Sequence, residues 1–160
     1  MSEKPKTVIK KEKKAENSYT KIAVVRIRGD VKLSPDVRKT FELLNLHNKN
    51  YCVVVEKNPS NLGMVKRVND YVTWGEISDE FYKELVEKKG ETYNNRIEDS
   101  KKKIQYNKYF TFNKTKYKKY FRLMPPVKGY GPEGIKKPFS KNGALGYRKD
   151  KISQLITRMM

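Results

Sequence analysis

The run Lys57-Asn58-Pro59-Ser60-Asn61-Leu62-Gly63-Met64-Val65-Lys66-Arg67 sets a proline turn, two asparagines and a serine ahead of a basic, half-apolar stretch patterned like a starting helix. The first turn of a helix leaves backbone N–H groups without intrahelical partners, and with the helix dipole these attract anions. Asn58, Ser60 and Asn61 would add donors, Gly63 would permit close approach, and Lys57, Lys66 and Arg67 would add charge. The chemistry on offer is phosphate binding. The same Asn and Ser could instead simply cap the helix, the commoner duty of such side chains.

A second candidate lies further along. In KKKIQYNKYFTFNKTKYKKYFR, lysines alternate with Tyr106, Tyr109, Phe110, Phe112, Tyr117, Tyr120 and Phe121. Ammonium groups such as those of Lys118 and Lys119, with Arg122, can meet phosphates while rings stack on exposed bases. Several of the rings could equally pack against a sheet, because a small core needs them. A third candidate follows from strand parity: if helices cover the face of Val25 and Ile27, then Arg26 and Arg28 project from the opposite face, where Arg122 and Tyr120 of a short strand would join them. On an uncovered sheet such arginines could also serve only to keep it soluble.

Catalytic sets are poorly represented. There is one histidine, His47, at a helix end, and one cysteine, Cys52, in a YCVVV setting that reads as a small buried strand residue. No metal-ligand spacing and no phosphate-binding P-loop occur, so neither an enzymatic role nor a metal or other cofactor is expected.

These candidates need a scaffold. The 160 residues suffice for one domain with added segments, and only 36% are hydrophobic against 34% charged. The net charge of +19 is localised: +3 in residues 1–18, +1 in 19–100 and +15 in 101–160. A near-neutral folded platform with an intensely basic segment attached points to a polyanion partner. No apolar run is long enough to span a membrane and the N-terminal stretch lacks a signal's apolar region, so the chain is expected to stay in the cytoplasm.

Residues 1–18 read as a disordered basic arm. YTKIAVVRIR is a strand. Ser34-Pro35-Asp36 caps a helix carrying Val37, Phe41 and Leu44 and ending near 45–48. YCVVVEK is a second strand, whose unbroken valines predict a central position. The opening stretch then starts a second helix, with Met64 or Val65, then Val68 and Val72, as its stripe and Gly75 at its end. Ser78 to Lys89 is a third helix. Glu91–Lys119 reads as an insertion of no derivable shape, YFRL as a short strand stopped by Pro125-Pro126, and 127–149 as an extended loop dependent on a partner. Asp150 would cap a last helix bearing Ile152, Leu155 and Ile156.

NPSNLGMVKRVNDYV, preceded by a strand and by RKTFELLNL, resembles the large-subunit ribosomal protein thirty family. FRLMPPVKG and GIKKPFSKNGALGYRKDKISQLITRM resemble its longer archaeal and eukaryotic branch, so the likeness covers residues 19–160. It implies an α+β, ferredoxin-like βαβαβ sandwich with helices on one face, an insertion at about 79–119 and a C-terminal extension over 124–160. It also implies a structural role on large-subunit rRNA close to the 5S rRNA, beside other ribosomal proteins and not as a homo-oligomer. Carried over by position, Asn58-Pro59-Ser60, Gly63, Lys66, Arg67, Lys128, Lys136, Lys137 and Arg148 would contact RNA. Lys141 and Lys149 of the same basic loop complete the candidates. Directly after the paired prolines, where many members are basic, this chain has Val127. Two other classes stay open on the residues alone: a phosphate-handling enzyme using Asn61 and Arg26 or Arg28, and an adaptor for acidic proteins.

Overall fold

The computed structural model describes residues 20–98, 103, 105, 106 and 108–160. The basic arm expected over 1–18 lies outside them. The elements run β1 (Lys21–Arg26), α1 (Pro35–Leu43), β2 (Tyr51–Glu56), α2 (Pro59–Arg67), β3 (Val72–Ile77), α3 (Asp79–Lys89), β4 (Tyr109–Phe112), β5 (Thr115–Lys118), β6 (Phe121–Arg122), β7 (Gly146–Tyr147) and α4 (Lys151–Thr157). The main sheet has the order β6-β2-β1-β3-β7. Its pairs are antiparallel except for β3 with β7, which are parallel.

Local chemistry sets the helix starts. The Ser34 hydroxyl accepts from the Val37 N–H at 3.4 Å, with Pro35 in the first turn. Ser78 accepts from the Phe81 N–H at 3.2 Å, and Asp79 and Glu80 complement the helix dipole there. Asp150 begins α4 without a side-chain cap. At seven residues α4 could not hold itself, and it persists because Ile152, Leu155, Ile156 and Met159 are buried, each contributing about 1.5–3 kcal/mol.

The βαβαβ order is present, and its third strand is the main departure from expectation. Val72–Ile77 is a strand between β1 and β7, not the end of the second helix. The helix stops at Arg67, and VTWGEI then alternates in burial as a sheet segment does. Gly75 therefore ends nothing. It sits inside β3 because α4 crosses there: a Cβ would lie 2.2 Å from the Lys149 carbonyl oxygen and 2.9 Å from Ile152 Cγ2. The second strand is interior as expected: β2 lies between β1, at the centre of the sheet, and the two-residue β6.

The two helices of the βαβαβ unit share one face. Ile22 and Val24 pack there with Phe41 of α1, Leu44 and Leu46 just after it, Val65 of α2 and Val68 at its C-cap. The opposite face is also covered. Ala23, Val25 and Cys52 pack with Leu85 and Val86 of α3 and with the apolar side of α4. No open sheet face exists at β1, so the expected platform for Arg26 and Arg28 is absent there. Within the insertion, residues 109–118 form a hairpin: β4 and β5 pair across Asn113 and Lys114, both at positive φ (46° and 65°), as a tight hairpin turn requires. Phe110 and Phe112 lie 6.2 and 6.4 Å from the Tyr82 ring on α3, so these rings serve the core.

Candidate nucleic-acid interface

Two of the expected contact residues are structural. Arg26 is 1% exposed. Its Nη1 donates to the carbonyls of Leu46 and His47, each at 2.8 Å, its Nε to the carbonyl of Arg28 at 3.0 Å, and its Nη2 to Asp30. The guanidinium lies 4.1 Å from the centre of the Phe41 ring, on the side that α1 covers. Parity separated Arg26 from Val25 as expected, but the helices of the unit lie over the arginine's side. Arg26 closes the turn after α1 and is not available to a phosphate.

Arg148 is likewise buried, at 5% exposure. Its Nε donates to Thr73 Oγ1 at 2.9 Å, and its Nη2 reaches the carbonyls of Tyr130, Gly143 and Ala144 at 3.2, 3.3 and 3.1 Å. Phe139 covers it, with the ring centre at 4.4 Å. Burial, and then the charge of Arg158, pulls its pKa below the ordinary arginine value. The glycine-rich loop is thus tied to β3 from within, through a cation that bonds the Thr73 hydroxyl of β3 and three carbonyls of the loop.

At the helix start, Pro59 occupies the first position of α2 and Asn58 makes no capping bond. The Asn58 amide donates to Glu56 Oε2 at 3.2 Å, and the Asn61 amide to the Glu56 carbonyl at 2.9 Å. Both asparagines are therefore turned back to the end of β2 and are not arranged as outward donors. Ser60 is exposed, and the space in front of Gly63 is empty to beyond 4 Å. Lys66 and Arg67 are exposed in the last turn, where they also complement the dipole. Lys57 pairs with Glu76 at 2.5 Å. Arg28, partly exposed, donates to the Asp70 carbonyl at 3.2 Å and lies 5.0 Å from the Tyr71 ring.

A second basic cluster surrounds Glu91, which receives Lys118 at 2.7 Å and Arg122 at 3.0 Å. The hydrogen bond to Glu91 raises the Lys118 pKa, while Tyr120 and then Glu91 raise that of Arg122, so both stay charged. Tyr120 stacks on Tyr51 at 5.0 Å, with Lys118 and Arg122 within 5.8 and 6.0 Å of its ring. Lys119 adjoins them in sequence. The third group lies in the loop: Lys128, Lys136, Lys137, Lys141 and Lys149 are all exposed, with Lys137 paired to Glu133 and Lys128 and Lys149 at positive φ of 67° and 51°.

Sequence reasoning missed one feature altogether. Trp74 on β3 and Tyr147 on β7 are register partners whose rings lie 4.5 Å apart. No local pattern joins residues 74 and 147, and reading β3 as helix concealed their pairing. Cys52 is buried, which pushes its thiol up to about 12. Among the described residues no group of acids, histidine and cysteine could hold a metal, and no helix is long and apolar enough to cross a membrane.

A βαβαβ unit closed by two further helices, with lysines clustered on its surface, defines a small basic α+β protein. Residues 22–72 match the family Ribosomal protein L30p/L7e. Over 154 residues the chain is 40% identical to the large ribosomal subunit protein uL30 of Nanoarchaeum equitans, covering 85% of this chain and 96% of that protein. It is 40% identical to uL30 of Methanococcus vannielii over 152 residues (86% of this chain, 98% of the relative) and 35% identical to that of Methanopyrus kandleri over 149 (84% and 100%). The chain belongs to the L30p/L7e family of ribosomal proteins, a family of structural proteins and not of enzymes.

Proposed function

We propose that this chain is a structural constituent of the large ribosomal subunit that binds large-subunit rRNA in the neighbourhood of the 5S rRNA, beside other ribosomal proteins. The observation that carries the reading is its identity, along nearly their whole length, to proteins named as large ribosomal subunit uL30. Residues 19–160 act in this reading as one RNA-docking unit in the cytoplasm, and the lysines of 1–18 add phosphate contacts. The contact residues are the exposed Lys57, Ser60, Gly63, Lys66, Arg67, Arg122, Lys128, Lys136, Lys137, Lys141 and Lys149, with the partly exposed Arg28, Lys118 and Lys119. Arg26 and Arg148 act indirectly, holding the turn and the loop that carry their neighbours. Asn58 and Asn61 fix the end of β2 against α2 and so set the direction of that helix.

Binding through lysine and arginine releases condensed counterions, so affinity falls with salt by nearly one log unit per log unit of salt for each phosphate neutralised. Titrating an rRNA fragment that spans the 5S neighbourhood at several salt concentrations tests this. A steep slope, reduced by about one in Lys128→Ala or Lys136→Ala, supports the reading. A flat response, or cosedimentation of the protein with no large-subunit particle, overturns it.

A further inference from the structure

The Trp74–Tyr147 pair sits at the rim of the core, with Trp74 packed against it and Tyr147 facing outward. Trp74 packs one side of its indole toward the α1–α2 layer, and its Nε1 donates to Asn69 Oδ1 at 3.0 Å. Tyr147 lies against it at 4.5 Å with the rings tilted by 35°, yet stays 40% exposed. Its hydroxyl donates to Glu76 Oε2 at 3.1 Å, and the other oxygen of that carboxylate receives Lys57 at 2.5 Å. One carboxylate therefore orients the ring and also links it to the residue that opens the basic helix start. Lys149 acts on the same carboxylate from the far side of Tyr147 in sequence.

The ring is also held rigidly. Gly146, with φ of 87°, and Arg148 on either side are buried, and Thr73 Oγ1 donates to the Gly146 carbonyl at 3.1 Å. A ligand meeting this surface would find the aromatic already in place. Close by, Lys57 and Lys149 act on Glu76, and Glu76 and Asp150 act on the Tyr147 hydroxyl, so two cations and two anions leave the platform near neutral. That balance suits the flat face of a base better than a lone phosphate, while the flanking lysines can follow the backbone on either side.

We infer that Trp74 and Tyr147 form a stacking platform for one unpaired RNA base, with Tyr147 as the contact surface and Lys57 and Lys149 as its phosphate flanks. This rests on the rRNA-binding reading and names a specific site within it.

Trp74 is the chain's single tryptophan, so its fluorescence reports the site directly. The full-length protein is titrated with a riboadenylate hexamer and with an abasic hexamer of equal charge. The expected result is quenching of Trp74 by the first and not by the second. Tyr147→Leu should weaken binding of the riboadenylate hexamer by about 5- to 150-fold, the range for losing one base–aromatic stack. Binding of the abasic hexamer should be unchanged, and Tyr147→Phe should retain the stack. A melting curve confirms that each variant folds. Equal quenching by both hexamers, no quenching by either, or wild-type affinity in Tyr147→Leu overturns the platform. None of these outcomes alters the salt slope on rRNA, so the inference can fail while the rRNA-binding reading stands.

Discussion

Replacing Arg148 by methionine separates a buried structural cation from an RNA contact. Methionine keeps much of the apolar stem and removes the guanidinium. The carbonyls of Gly143 and Ala144 then lose their donor inside the fold, while Thr73 Oγ1 keeps its bond to the Gly146 carbonyl. A buried acceptor left unpaired costs about 1–3 kcal/mol, so two cost about 2–6 kcal/mol. Part of this is offset, because the charge is itself penalised by burial, as its lowered pKa indicates. A net loss of about 3 kcal/mol follows. For a chain of this size each kcal/mol moves Tm by roughly 2–4 °C, so Arg148→Met should melt about 6–12 °C lower. Urea unfolding should show the same loss. Arg148→Lys keeps the charge but cannot span the same acceptors, and it should also be destabilised. Were Arg148 an ordinary phosphate contact, Tm would hold and the salt slope on rRNA would fall by about one. A drop in Tm below about 2 °C for Arg148→Met refutes the structural assignment.

Three further outcomes follow from the same geometry. The hydrogen bond from Lys57 lowers the Glu76 carboxyl below its ordinary value of 4.5, so the stabilisation it gives is present above that pH and is lost as pH falls through the lowered folded value. Glu76→Gln should therefore lower Tm by about 1–4 °C at pH 7, with the gap to wild type closing in melts below the ordinary carboxylate range. Cys52, buried and pushed up to about 12, should resist a thiol reagent at pH 8 in the native protein and react at once in urea. Gly75→Ala should cost about 1–3 kcal/mol, read by urea unfolding, because the new Cβ would meet the Lys149 carbonyl and displace α4.

Much of the scaffold could be read from local chemistry. Ser34-Pro35 and Ser78 mark their helices because caps are short-range, and the valine-rich strands stand out by their residue types. β3 did not stand out, for a physical reason: Val65, Val68 and Val72 fall at helical spacing across a turn, and Gly75 resembles a helix stop. What permits that glycine is the approach of α4, some seventy residues away in the chain. The candidate contacts divide in the same way. A lysine's position in a glycine-rich loop suffices to expect exposure, as Lys128, Lys136 and Lys141 illustrate. An arginine's position does not show whether its donors meet solvent or carbonyls. For Arg26 and Arg148 those carbonyls come from turns and loops that only the tertiary fold assembles.

The two sides of the sheet are supplied at different times during synthesis. Ile22 and Val24 receive their cover from residues up to Val68, nearly the stretch 22–72 that matches the family, whereas the side of Ala23 and Val25 waits for Ile152 and its neighbours. About 75 residues separate the end of β3 from Ile152. At roughly 5–20 residues per second, translation leaves that side only partly sheltered for about 4–15 s. A nascent chain is thus greasy on one side and increasingly cationic, and for those seconds chaperones and stray nucleic acid compete for it.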